Sequence, residues 1–390
     1  MNKQNPFSPT FPVNPEYFVN RTEILTSFEK AYARSTKTEL PTPDNIAILG
    51  DWGVGKSSVM RKFEDIALKN KERKPFSALI ELIPTACGSF NLFADKVADD
   101  IDRNFAVKSS IISRIRQDIR NWRIESLSIA GGIRIEKKIK ERSPAAAFED
   151  SLIELWKILE KSGIDIGILM LDDLHYLAEK YPDGLYDLRG IFQGLPRHGC
   201  NYMLCATGKK NMFSDIRELA EPLARFFNIK HKLDVFELKE TRNAILKPIE
   251  LCNLNMEIDD DVLKRIHELT MGHPFFIHFI MRDIVSTCCG KINLTKFEST
   301  FRDIEKIMRR EKFDVDFSIA SNKEKKILIE MAKSDADKIS PSDLNIKNPV
   351  LQLGSLLKKN LVVKHERGEY SLYHPLFKRY MRSVHVKKIH

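Results

Sequence analysis

The sequence predicts an α/β fold, in which a parallel sheet is covered by helices and is followed by a helical segment and a small helix-and-hairpin domain. Apolar runs of buried-strand type alternate with helical patterns between residues 46 and 238. After Leu238 the pattern is helical, and two short strands bracket a turn near residue 367. With 390 residues, 43% of them hydrophobic, the chain has enough apolar material for two or three domains.

Residues 1–20 are punctuated by prolines. Proline is excluded from helix interiors and from ladder pairing, so we expect an extended arm with aromatic anchors. From Asn20 onward, Ile24, Leu25, Phe28 and Tyr32 recur at helical spacing. This pattern predicts a helix before the first strand.

A glycine-rich motif, G-D-W-G-V-G-K-S, occupies residues 50–57 directly after the apolar run 45–49. Its pattern is that of a phosphate-binding loop: the glycines let backbone N–H groups point inward, Lys56 provides charge for the β and γ phosphates of ATP, and Ser57 offers a hydroxyl to Mg²⁺. The helical stretch 58–69 places a helix N-terminus under the anion. The residues expected to bind nucleotide here are Gly50, Gly53, Val54, Gly55, Lys56, Ser57 and Ser58, and Lys56 is also a catalytic candidate.

The apolar run 166–171 ends in Asp172 and Asp173. A nucleotide-bound Mg²⁺ needs a carboxylate on a neighbouring strand, and Asp172 would hold the ion through water. Asp173 would then polarise the attacking water as general base. The alternative is that the pair caps the next helix, 174–179. Asp is shorter than the Glu of many motor ATPases, which favours slow hydrolysis, or a switch rather than a motor.

The other core elements follow from the same alternation. Predicted strands are 46–50, 77–82, 166–171, 201–206 and a last one near 234–238, with helices at 55–69, 90–105, 145–161 and 184–193. A basic stretch, about 106–144, interrupts this order, and alternation around Gly131 and Gly132 suggests a β-hairpin. It is either a solvated insertion or an electrostatic contact to nucleic acid or to a neighbouring subunit.

The C-terminal part divides into two predicted domains. Helices at 241–250, 259–270, 275–287 and 296–311 form a helical lid, and the next segment has helices at 321–332 and 348–360 and strands at 361–364 and 369–373. This second order describes a winged helix. The predicted domains are therefore the arm 1–20, a P-loop core 21–238, the lid 239–314 and the winged helix 315–390.

Composition restricts the partners without choosing among them. The net charge of +9 suggests an anionic partner, which nucleotide, nucleic acid and acidic membrane would all satisfy. The six cysteines lack paired C-x-x-C spacing, which indicates neither a zinc site nor a disulfide framework and fits a reduced, cytoplasmic compartment. No signal sequence or membrane-length apolar run is present, so we expect a soluble protein without a membrane partner.

Taken together, these features resemble the AAA+/STAND superclass of P-loop ATPases, near the junction between archaeal STAND-type ATPases and initiator-type origin-recognition ATPases. The resemblance covers roughly residues 5–385. The segment 18–23 looks like the hydrophobic-Gly-Arg-x-x-Glu box that lies against adenine, with Asn20 in place of Gly and Arg21 as the arginine. Leu171, Asp172 and Asp173 look like the paired-Asp acidic motif of STAND proteins.

Three further matches carry family roles to single residues. Thr207 occupies the sensor-1 position, which reads the γ-phosphate, unless it is only a strand-end turn residue. Gly272-His273-Pro274 resembles the G-x-P motif of STAND lids, which implies that Pro274 contacts the base. His374 follows the wing, where STAND switches place a histidine against the β-phosphate of ADP, although a lone histidine is more often structural.

The segment 222–227 resembles the box from which initiator-type AAA+ subunits offer an arginine finger to the ATP of the next subunit. The resemblance makes Arg225 a catalytic candidate in trans. The alternative is that the Arg225 stem covers apolar surface beside Phe226 and Phe227.

Three functions are compatible with the sequence. We favour a DNA-associated ATPase of initiator, transposition or mobile-element type, which would use the basic insertion and, on the winged helix, Gln352, Ser355, Lys358 and Lys359. The second is a STAND switch in defence or signalling, with an internally packed winged helix; ADP would hold a closed monomer, and ATP would release a homo-oligomer or engage a partner protein. The third is a structural P-loop protein that binds nucleotide without turnover.

Overall fold

The computed structural model describes residues 5–35, 40–108, 143–215, 225–365 and 368–386. The chain forms two compact units: the core unit, Pro12–Asp234, and the C-terminal unit, which combines Met1–Phe11 with Val235–His390. Most of the predicted basic insertion, including the hairpin expected around Gly131, lies outside the described residues.

The core unit contains a five-stranded sheet in the order β2-β3-β4-β1-β5, with every neighbouring pair parallel. The strands are β1 Ile46–Gly50, β2 Pro75–Glu81, β3 Ile166–Asp172, β4 Tyr202–Gly208 and β5 Ile229–Leu233. β1, β3 and β4 are buried along their whole length, which explains their continuous apolar runs. The predicted α/β fold class is confirmed.

Helices cover both faces of this sheet. They are α1 Thr22–Arg34, α2 Lys56–Lys69, α3 Phe90–Lys108, α4 Pro144–Lys161, α5 His175–Lys180, α6 Asp183–Gly194 and the short α7 Met212–Asp215. Alternate residues of β3 enter different hydrophobic clusters: Ile168 and Met170 pack with α1 and α2, whereas Leu169 and Leu171 pack with α3 to α6. Strand side chains point alternately to the two faces, so one apolar run supplies both clusters.

The C-terminal unit is mainly helical. Its elements are α8 Leu238–Leu251, β6 Met256–Ile258, α9 Asp260–Thr270, α10 Pro274–Thr287, β7 Gly290–Ile292, α11 Leu294–Met308, α12 Asp314–Ser318, α13 Asn322–Lys333, α14 Val350–Lys358, β8 Val362–Lys364, β9 Tyr370–Leu372 and α15 Pro375–Met381. One hydrophobic cluster contains residues from Ile245 to Val384. The lid and the winged helix therefore share a core, which also contains Phe7 of the N-terminal arm.

The winged helix has the predicted order of α13, α14 and an antiparallel hairpin of β8 and β9. Ile339 adds a single antiparallel bridge to Tyr370. The sequence did not predict this bridge or the helix α15 that follows the hairpin.

The prediction of a last core strand near 234–238 is wrong. The strand is β5, Ile229–Leu233, at the edge of the sheet, and α8 already begins at Leu238. Glu237 and Glu240 form a capping box that starts this helix. The segment 234–238 contains three apolar residues, whereas β5 contains only Ile229 and Leu233 and therefore has the weaker strand pattern.

Among the described residues, no helix is both long and apolar enough to cross a membrane. All six cysteines are free thiols.

Candidate nucleotide-binding site

The loop between β1 and α2 has a structural reason for each of its glycines. Gly53 and Gly55 have φ of 74° and 98°, a region in which L side chains are strained. A Cβ on Gly50 would lie 2.8 Å from Cγ2 of Val54 and 3.0 Å from the Leu233 carbonyl oxygen. The loop therefore curls tightly over the N-terminus of α2, where unpaired N–H groups favour an anion.

Lys56 is the first residue of α2, and its side chain turns back over the loop. Its Nζ donates to the carbonyl oxygens of Gly50, at 3.1 Å, and of Asp51, at 2.9 Å. Burial lowers the pKa of Lys56, and the charges of Asp173 and Asp172 oppose this shift. The ammonium group therefore lies in the electrostatic field of the predicted acidic pair.

Ser57 and Ser58 follow in the first turn of α2. The Ser58 hydroxyl accepts a hydrogen bond from the Val13 N–H at 3.1 Å, which links the arm to this helix. Contact of either serine with nucleotide or Mg²⁺ stays a prediction.

The strand order brings Thr207 between the loop and the acidic pair. β4 lies between β1 and β3, with Thr207 opposite Ile48 and Ala206 opposite Leu171. Thr207 Oγ1 donates to Oδ1 of Asp172 at 2.5 Å and accepts from the Asp173 N–H at 2.8 Å. Thr207 therefore holds both aspartates in this structure; its predicted contact with a γ-phosphate remains a prediction.

Asp173 has the properties of a weakly acidic carboxyl group. Burial and the neighbouring Asp172 raise its pKa to about 6, against the opposing charges of Lys56 and Lys209. Its φ of 60° is unusual for a residue other than glycine. The helix α5 has no side-chain cap, so the alternative of a helix-capping carboxylate does not describe this structure.

Asn20 and Arg21, of the predicted adenine box, have successive left-handed conformations, with φ of 65° and 60°. Asn adopts this conformation more readily than most residues other than Gly. Arg21 donates through a terminal guanidinium nitrogen to the Asp234 carbonyl oxygen. Contact of this segment with a base stays a prediction.

Pro274 and His374 lie in the C-terminal unit. Pro274 is the buried first residue of α10. His374 is also buried: its Nδ1 accepts from the Leu376 N–H at 3.1 Å, and its Nε2 donates to the Thr270 carbonyl oxygen at 2.9 Å. Both ring nitrogens are thus occupied, and a contact with phosphate, which stays a prediction, would require one of these bonds to open.

Arg225 is the first described residue after 216–224 and is exposed. The next two residues, Phe226 and Phe227, are buried in the core. This exposure is compatible with a contact to another subunit, but an arginine finger stays a prediction. The rest of its box, 222–224, lies outside the described residues.

No family model matches this chain, and no curated protein matches it. Solved structures do match. A Walker-type ATPase of Pyrococcus abyssi has a TM-score of 0.59 at 15% identity, over 94% of this chain and 96% of that one. The ORC2 protein of Aeropyrum pernix, in its ADPNP–ADP complexes, has a TM-score of 0.58 at 13% identity, over 100% and 99%. The ORC1 protein of the same organism, in complex with DNA, has a TM-score of 0.51 at 13% identity, over 96% of both chains.

The chain has the fold of these archaeal ATPases. The ORC-type fold extends over nearly the whole length of the sequence, and it confirms the resemblance drawn from the motifs. At these identities the comparison establishes the fold alone.

The residues at this edge of the ORC-type fold suit a nucleotide with a divalent ion. Among the described residues, no group of three His, Cys, Asp or Glu side chains could hold a metal by itself. Mg²⁺ commonly binds through one or two carboxylates together with substrate phosphates. Asp172 and Ser57 would provide the protein ligands of such a set, and the phosphates of a nucleotide bound by the loop amides would complete it.

Two residues at this edge of the sheet, Glu81 and His175, are not among the site residues predicted from the sequence. Glu81 ends β2 and is paired in register with Asp172, and its carboxylate lies 3.9 Å from Arg61. His175 begins α5 beside Asp173. For Glu81 the available signal was its place at the end of a predicted parallel strand; for His175 it was only its position two residues after the acidic pair.

Proposed function

We propose that this protein binds ATP with Mg²⁺, hydrolyses it slowly and associates with DNA under control of the bound nucleotide. One observation carries the proposal: the glycine-rich loop, Thr207 and the acidic pair lie at the carboxyl ends of three adjacent parallel strands. Ligands of open α/β sheets bind at this edge.

Each residue has a physical role in this proposal. The loop amides and Lys56 would bind the phosphates, while Ser57 and Asp172 would hold Mg²⁺, which neutralises charge on the phosphate oxygens. Asp173, with a pKa near 6, is mainly a carboxylate at pH 7 and can accept a proton from water. The short Asp side chain favours slow turnover, as expected for a switch.

DNA association rests on charge and on the ORC-type fold. The net charge is +9, and the ORC1 neighbour was solved in complex with DNA. Of the polar residues proposed on α14, Lys358 is exposed, whereas Lys359 and Ser355 bond to the buried Glu324. A DNA contact by this helix would therefore depend on Lys358 rather than Lys359, together with the basic segment 109–142 outside the described residues.

The nucleotide site is tested with the change Lys56→Ala. We expect ATP affinity to fall about 10- to 100-fold, because charged hydrogen bonds to the phosphates are lost. Lys69→Ala is the matched control, since Lys69 lies at the far end of the same helix and is exposed. Unchanged binding and turnover in the Lys56 variant would refute the site assignment.

Asp173→Asn separates binding from hydrolysis. The variant should bind ATP with near wild-type affinity but lose most of its turnover, because the amide cannot accept the proton from water. Isothermal titration and phosphate release measure the two quantities. Wild-type turnover in this variant would exclude Asp173 as the base.

DNA association is tested by duplex binding at several salt concentrations with ADP and with a non-hydrolysable ATP analogue. We expect binding that weakens steeply with salt and differs between the two nucleotides. Binding that is absent in both states would remove the DNA part of the proposal.

A second candidate is a STAND-type defence or signalling switch whose winged helix packs internally and whose partner is a protein. The buried bond from His374 to Thr270 favours it, because it ties the winged helix to the lid. Solution mass with ADP and with a non-hydrolysable ATP analogue tests this candidate. An ADP monomer that becomes a homo-oligomer with the analogue would support it, whereas equal masses would count against switching by assembly.

A further inference from the structure

The side chain of His175 lies against the proposed catalytic base, and its Nδ1 has no hydrogen-bond partner among the described residues. Its Nδ1 is 3.6 Å from Oδ1 of Asp173, and its side chain is 8% exposed. The ring packs on Tyr176, with 4.2 Å between centroids and an interplanar angle of 41°. Among the described residues, none lies within hydrogen-bonding distance of this buried nitrogen.

A buried nitrogen without a partner is costly, since it has lost its bond to water. The nearest carboxylate is that of Asp173, slightly too far away for a hydrogen bond. Catalytic hydrogen bonds are often long in ligand-free sites and shorten when substrate binds. A small adjustment of either side chain would bring Nδ1 and Oδ1 to bonding distance.

Asp173 itself is fixed through its backbone rather than through its side chain. Its N–H donates to Thr207 Oγ1, and its φ is 60°. Within the described part of the chain, no side chain donates a hydrogen bond to its carboxylate. The orientation of this carboxylate therefore depends on a nearby donor. Nδ1 of His175 lies 3.6 Å from it.

We propose that His175 donates its Nδ1–H to the Asp173 carboxylate and thereby orients this base toward the attacking water. His175 is then a positioning residue, which acts through Asp173 and does not touch the nucleotide. The inference rests on the proposed ATPase function.

The charge state of the ring suits this role. Burial, with a further contribution from the charge of Lys209, lowers the pKa of His175 to about 4. The imidazole is therefore neutral at pH 7 and carries one N–H, which can be on Nδ1. The ring therefore acts on Asp173 by donating a hydrogen bond and not by its charge.

Three substitutions separate the donor from the ring. His175→Asn places an amide nitrogen close to the position of Nδ1, His175→Gln places one nearer to that of Nε2, and His175→Phe retains a ring against Tyr176 without any donor. We expect kcat of the Asn variant to stay within about threefold of wild type, and kcat of the Gln and Phe variants to fall about tenfold. ATP affinity should be unchanged in all three.

Equal kcat in the Asn, Gln and Phe variants would overturn the inference, because a role in packing alone does not depend on the place of a nitrogen. Gln and Phe variants that bind ATP more weakly but keep the wild-type kcat would overturn it as well. Thermal unfolding of each variant shows whether the comparison is made between folded proteins.

The tautomer of His175 provides a test that does not depend on activity. Long-range ¹H–¹⁵N spectra of the histidine-labelled wild-type chain distinguish a proton on Nδ1 from one on Nε2. We expect the Nδ1–H tautomer at pH 7. A neutral ring with its proton on Nε2 would overturn the proposal even if no variant could be purified.

The two hypotheses fail differently. If the wild type neither binds nor hydrolyses ATP, the proposed function is wrong. If the wild type hydrolyses ATP and Asp173→Asn abolishes turnover, while the Gln and Phe variants of His175 remain fully active, only the inference about His175 is wrong.

Discussion

The Thr207 hydroxyl donates to the Asp172 carboxylate at 2.5 Å, and the same oxygen accepts the Asp173 N–H at 2.8 Å. One buried side chain on β4 thus holds two successive residues at the end of β3. Because β4 also neighbours β1, this hydroxyl fixes the acidic pair relative to the strand that leads into the glycine-rich loop. The Asp172 carboxylate and the Asp173 backbone therefore depend on a residue of a third strand.

Thr207→Val tests this link, since valine has nearly the same shape but no hydroxyl. It would leave the buried Asp172 oxygen and the Asp173 N–H without this partner, which costs about 1–3 kcal/mol of unfolding free energy. ATP turnover should fall as well, because the Asp172 carboxylate and the Asp173 backbone both lose a hydrogen bond that holds them. Denaturant unfolding and phosphate release measure the two effects, and Thr207→Ser, which retains the hydroxyl, should stay close to wild type. Equal stability of the Val and Ser variants would contradict the role of the hydroxyl.

Lys358 and Lys359 are adjacent but have different surroundings. Lys359 Nζ donates to Glu324 at 2.7 Å and to the Ile319 carbonyl oxygen at 3.0 Å, whereas Lys358 is exposed. Burial alone would raise the pKa of Glu324, but hydrogen bonds from Lys359, Ser355 and Ser321 together lower it to about 2. The Glu324 carboxylate is therefore charged and depends on these donors.

We expect Lys359→Ala to lower the unfolding free energy by about 1–3 kcal/mol at pH 7, because Glu324 stays buried without its cation. Lys358→Ala should change stability by less than about 0.5 kcal/mol. In a duplex-binding assay the Lys358 variant should show the larger effect, because it loses a direct contact to DNA, whereas the Lys359 variant does not. Equal stability losses in the two variants would contradict this division.

Gly272 and Gly290 allow a matched test of the G-x-P segment. Both have φ of 69°, but a Cβ on Gly272 would lie 1.9 Å from the Phe236 carbonyl oxygen, while one on Gly290 would meet nothing within 4 Å. Gly290→Ala should therefore cost about 1–2 kcal/mol from backbone strain alone. Gly272→Ala should cost clearly more or prevent folding, since backbone would have to move. Thermal unfolding measures both, and equal costs would contradict the packing argument.

Two phenylalanines of the N-terminal arm differ in burial. Phe7 is 2% exposed, with its ring 5.6 Å from that of His278, whereas Phe11 is 75% exposed. Phe7→Ala should destabilise the C-terminal unit by about 3 kcal/mol, and Phe11→Ala should have little effect. All three tryptophans precede residue 235, so hydrogen exchange of α10 is the better probe. Equal exchange in the two variants would show that the arm does not stabilise this unit.

The sequence was sufficient for the elements whose apolar patterns are unambiguous. β1 and β3 are buried on both faces and read as continuous apolar runs, and each ends in a motif with its own chemistry. The hairpin of β8 and β9 was also predicted, within one residue at each end. The edge strand β5 was misplaced, because it is half-exposed and only two of its residues, Ile229 and Leu233, are apolar.

Neighbours across strands were harder to predict than the motifs. Thr207 was singled out by a family position that implies a phosphate contact, but its bonds to Asp172 and Asp173 follow from strand register. Likewise, helical periodicity gives the polar residues of α14 without showing that Lys359 turns toward Glu324. Such contacts depend on tertiary packing, which a single sequence does not specify.

The stability of the C-terminal unit should decrease as the pH falls below about 6.5, the ordinary value for histidine. Burial lowers the pKa of His374 to about 3 and that of His278 to about 4, so both remain neutral in the folded unit. The unfolded chain takes up protons as the pH falls through 6.5, whereas the folded unit does so only near these lowered values. Their contribution is therefore fully present above pH 6.5 and is lost between that pH and about 3.

For His374 alone, the loss between pH 7 and pH 5 should be about 2 kcal/mol. His374→Asn provides the comparison, because asparagine is a good N-cap for α15 but does not titrate. The variant should be less stable at pH 7, since it lacks the ring packed on Phe276, yet its stability should depend less on pH. Hydrogen exchange of α9 and α15 at both pH values measures this difference. Parallel pH profiles for the wild type and the variant would mean that His374 is protonated in the folded protein, or that the unit opens around it.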